Sequence, residues 1–60
     1  MKATIEIEMN GAAFGESDDT AGYELARILH ELAAKCANGD LEHSLMDING
    51  KRVGQCNIQD

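Results

Sequence analysis

The sequence predicts a small α+β domain in the order β-α-β-β, one helix packed on a three-stranded antiparallel sheet. A stretch of period two opens the chain, a stretch of period three and four follows, and Asn-Gly dipeptides at Asn10-Gly11, Asn38-Gly39 and Asn49-Gly50 fall where the period changes. Gly enters positive φ without steric cost and Asn tolerates it, so the pair collects where a chain reverses.

In the first stretch Ala3, Ile5, Ile7 and Met9 alternate with Lys2, Thr4, Glu6 and Glu8. That is the pattern of a half-buried strand, one face in the core and one wet. Gly11 to Asp19 then reads as a loop of small and acidic residues anchored by the ring of Phe14. Ser17, Asp18, Asp19 and Thr20 all offer helix caps. From about Thr20 to Ala37, the residues Ala21, Leu25, Ile28, Leu29, Leu32 and Cys36 recur at helical spacing, with Leu29 in mid-stripe. Glu24, Arg27, Glu31 and Lys35 form the wet side, and Gly39 fits the position just beyond the helix end.

Ser44 to Ile58 reads as a hairpin turning at Asn49-Gly50. A two-residue turn would pair Ile48 with Lys51 and Met46 with Val53. A three-residue loop with Gly50 left-handed would pair Asp47 with Lys51 and Leu45 with Val53; this register is preferred because it sets opposite charges across the strands. Gly54 marks a further bulge that returns Cys56 and Ile58 to the core face. We place the last strand between the first two; a parallel pairing of strands one and two through a right-handed crossover is the alternative that sequence leaves open.

Sixty residues make a single domain, near the size at which a core alone sustains folding. Two cysteines are too few for a disulfide framework, and Cys36 on the helix stripe and Cys56 in a strand read as reduced core residues. The strand-like opening has none of the regions of a secretory signal, and no apolar run approaches the roughly 20 residues that span a bilayer, so a cytoplasmic protein without membrane contact is expected. Eleven acidic residues against five basic ones give a formal charge of -6. That charge opposes direct binding of nucleic acid, where Lys and Arg must neutralise phosphates, and one Tyr and one Phe make no stacking platform.

Catalytic and cofactor constellations fare poorly. His30, Cys36, His43 and Cys56 are zinc-ligand types, but their spacings match no compact ligand pair, and both histidines read as solvated, His43 in a loop. Ser17, Ser44 and the cysteines lack the local signature that presents a nucleophile, and Asp18 and Asp19 read as caps rather than an acid-base pair. Gly11 to Gly15 lies where phosphate loops occur but lacks the Gly-Lys-Ser/Thr ending, and the acids after it would repel phosphate. No catalytic residue, cofactor or metal is therefore expected.

Surface charge is what remains. Glu6 and Glu8 project from the open sheet face, and Glu16, Asp18 and Asp19 crowd the helix entrance. Charge of this kind keeps a small domain soluble and also steers association, so these five are the candidate partner-binding residues, for a protein partner of basic character. An uncovered sheet face and open strand edges add the expectation of a homodimer.

The opening Met-Lys-Ala-Thr-Ile-Glu-Ile-Glu-Met, the helix core from Tyr23 to Leu29 with Glu31-Leu32-Ala33, and the ending Asp47 to Gly50 with Arg52-Val53-Gly54 resemble small uncharacterised acidic proteins encoded by phages and other mobile elements. The resemblance covers most of the chain in general character and implies no activity. By context it implies an accessory protein that binds and inhibits host machinery, such as a nucleic-acid-binding or defence protein.

Overall fold

A computed structural model describes all sixty residues. The elements are β1 (Lys2–Ile7), α1 (Asp18–Ala37), β2 (His43–Met46) and β3 (Arg52–Gln59), with a single 3-10 turn at Ala12–Phe14 in the first connection. The sheet order is β1-β3-β2 and both pairings are antiparallel, as expected for a last strand inserted between the first two.

α1 starts where Ser17, in extended backbone, accepts a hydrogen bond from the Thr20 amide. Ser17 alone is the cap. Asp18 and Asp19 lie inside the first turn, where carboxylates favour the positive end of the helix dipole. The helix ends in paired reverse bonds, with the Gly39 amide donating to the Cys36 carbonyl and the Asp40 amide to the Lys35 carbonyl.

Phe14, Ile28, Leu32, Leu45, Val53 and Cys56 form the core, with Ile7, Ala21 and Cys36 packed against it. Phe14 is 0% exposed, so the ring anchors its loop as the sequence suggests. The helix stripe is rotated from its expected position. Leu29 is 41% exposed, whereas Glu24, assigned to the wet side, is only 6% exposed. The buried line therefore runs through Glu24, Ile28 and Leu32, and Leu29 falls on its flank.

In the hairpin, the Asp47 amide donates to the Lys51 carbonyl and Gly50 has φ +83, the three-residue loop preferred from charge. Beyond it the pairing differs from expectation. Met46 faces Arg52 but Leu45 faces Gly54, leaving Val53 as the extra residue of a bulge. The bulge thus sits one residue before Gly54, and it turns both Val53 and Cys56 into the core, which strict alternation would forbid.

Candidate interaction surface

Glu6, Glu8, Glu16, Asp18 and Asp19 are all exposed. Ile5 stands opposite Cys56, which is buried under α1, so Glu6, one residue on, lies on the sheet face away from the helix. There Glu6 and Glu8 line an open depression of about 360 Å³ with Arg52, Val53, Gly54 and Gln55. Glu16, Asp18 and Asp19 lie at the start of α1, in the other layer, so the structure does not merge the two sets into one patch.

The ion pairs of the molecule, Glu24 with Arg27 and Glu31 with Arg27, use none of the five candidates. None accepts a side-chain hydrogen bond either, so each carboxylate is available to a partner. Arg52 is the counter-charge at the rim of the depression, where its Nη2 donates to Gln55 Oε1 at 2.7 Å. Sequence reading missed Arg52 and Gln55 because the β1–β3 register, which sets Gln55 opposite Glu6, is formed only in the folded sheet.

A second polar feature joins α1 to the hairpin. Arg27 donates from Nε to Glu24 Oε1 at 2.6 Å and from Nη2 to Glu24 Oε2 at 3.2 Å, and its Nη2 also reaches the Met46 carbonyl at 3.2 Å. The Ile48 amide donates to Glu24 Oε2 at 2.8 Å. This Arg27 contact holds the Glu24 carboxyl below the usual glutamate range despite the opposing cost of burial, and the Ile48 amide adds to the effect. Glu24 in turn raises Arg27 above its ordinary value. Asp47, 5% exposed, accepts from the Asn49 and Lys51 amides through Oδ1, fixing the turn from within. The spacing of Glu24 four residues before Ile28 was the signal that it could face inward.

His43 belongs to β2 rather than to a solvated loop. It stands opposite Cys56, with both ring nitrogens enclosed and without a hydrogen-bond partner. Cys36 and Cys56 are free thiols. Burial pushes the Cys56 thiol up, and Cys36 and Glu42 nearby add to the rise, so it is a poor nucleophile. No three His, Cys, Asp or Glu side chains converge as a metal-binding group. No helix is long and apolar enough to cross a membrane. No family model, curated protein or solved structure matches the chain.

Proposed function

We propose that this chain is a non-catalytic protein-binding module that docks a basic partner in the cytoplasm through Glu6, Glu8, Glu16, Asp18 and Asp19. The observation that carries the reading is that these five carboxylates are exposed and unengaged, in a chain whose net charge is -6. In its sharpest form the module is a phage or mobile-element inhibitor of a host nucleic-acid-binding or defence protein, with carboxylates occupying a basic groove that otherwise takes phosphates. The same charge argues against nucleic acid itself as the ligand.

The test is parallel quantitative capture from a host extract with the wild type and a variant carrying Glu6→Gln, Glu8→Gln, Asp18→Asn and Asp19→Asn. One partner held in stoichiometric amount by the wild type and lost by the variant supports the reading. Equal retention by both contradicts it.

A second reading is a self-assembling dimerisation module. It is favoured by β1, which pairs on one side only, and by Ile5, which is 46% exposed on the helix-side face of that edge.

A further inference from the structure

The backbone of β1 offers a specific contact for self-assembly. The Glu8 amide donates to the Val53 carbonyl at 2.8 Å, continuing the register that sets Lys2 opposite Gln59 and Ile7 opposite Gly54. Residues of an antiparallel strand turn their polar groups alternately to one side and the other. Since Glu8 bonds toward β3, so do Thr4 and Glu6, and the N–H and C=O groups of Ala3, Ile5 and Ile7 point to the open edge. No other strand pairs there.

We propose that this edge pairs with itself: two copies join β1 to β1, antiparallel, about a two-fold axis at Thr4, making one continuous six-stranded sheet with both helices on the same side. The inference rests on the self-assembly reading. Such an axis keeps each sheet face on its own side, so odd residues must meet odd and even must meet even. With Thr4 opposite Thr4, Ala3 and Ile5 of opposite copies exchange the free backbone bonds. Lys2 then faces Glu6 of the second copy on the open face, twice over, where opposite charges directly across are favourable.

Neighbouring registers are worse. An axis at Glu6 sets two carboxylates face to face, and an axis at Ile5 opposes Thr4 to Glu6 and reaches for Glu8 beyond the end of β1. The chosen register also covers Ile5 with Ala3 of the second copy. Leu29 lies on the helix flank turned away from Glu24 and the β2–β3 loop, hence toward the β1 side, and would border the same seam.

Lys2→Glu and Glu6→Lys test this directly, with molar mass followed by light scattering and sedimentation over a concentration series at low salt. Both residues are exposed and outside the ion pairs, so each variant should keep the wild-type circular dichroism. Each alone should weaken self-association roughly tenfold or more, because two attractive pairs become repulsive. Mixing the two variants should restore a dimer of mixed composition, and the double variant Lys2→Glu/Glu6→Lys should dimerise alone. Wild-type affinity in both single variants would overturn this interface and leave self-assembly standing through another surface. Rescue of Lys2→Glu by Glu8→Lys instead of Glu6→Lys would overturn the Thr4 register. A wild type that stays at 6.5 kDa at every concentration would overturn both the interface and the self-assembly reading.

Discussion

Leu29 and Leu32 lie three residues apart on one helix, yet only Leu32 is enclosed between α1 and the sheet. Leu32→Ala removes methyl groups from a filled site and should cost about 2–5 kcal/mol, whereas Leu29→Ala, at a side chain 41% exposed, should cost about 1 kcal/mol or less. Denaturant midpoints of the two variants check this, and equal losses would mean that the helix is rotated from its described position. Gly54 is a second residue whose identity is dictated by space. A Cβ there would run into the Glu6 carbonyl oxygen of the adjacent strand, so Gly54→Ala should force β1 away from β3 at a cost of about 1–3 kcal/mol or more. Hydrogen exchange at the β1 amides should rise with it, and unchanged protection would contradict the close approach.

At the scale of elements, the Glu24–Arg27 pair fastens α1 to the loop between β2 and β3. Glu24 has its pKa lowered in the folded state, so its stabilisation is complete above the unfolded value of about 4.3 and is lost as pH falls through the lower folded value. Wild-type stability should therefore drop on acidification below about pH 4.3 more steeply than that of Glu24→Gln, which carries no titrating group at the site. Parallel acid profiles would show that the fastening does not depend on charge. The sequence displayed the elements themselves, the helix end at Gly39 and a preference for the three-residue turn, because each rests on local period or turn chemistry; it left the strand order open between two placements, and the order β1-β3-β2 appears only in the folded sheet. It did not display which flank of the helix meets the hairpin. That depends on how the β2–β3 loop folds back over α1, and it is why helical period alone puts Glu24 in water and Leu29 in the core. The bulge was legible only as a glycine; that Val53 rather than Gly54 is the extra residue shows only in the pairing of β2 with β3. Of the candidate surface, exposure of the five acids was readable from pattern, but the depression that Glu6 and Glu8 share with Arg52 and Gln55 needed the sheet to bring distant residues together.

Across the whole molecule, the excess of acidic charge is the feature on which the proposed docking rests. Arg27 is taken up by Glu24 and Glu31, and eleven acidic residues against five basic ones leave carboxylates in excess at the surface, although Lys2 and Arg52 share the open face with Glu6 and Glu8. If these steer a basic partner, association should slow as salt rises, since the Debye length falls from about 10 Å at 0.1 M to about 3 Å at 1 M. Asp18→Asn with Asp19→Asn leaves the Ser17 cap in place, so the helix start is preserved while its charge is removed. The most direct measurement is the association rate of the captured partner with the wild type and with this double variant across a salt series. The account predicts a wild-type on-rate that falls steeply with salt, a slower and flatter on-rate in the variant, and off-rates that change less. On-rates that coincide and are indifferent to salt would contradict it.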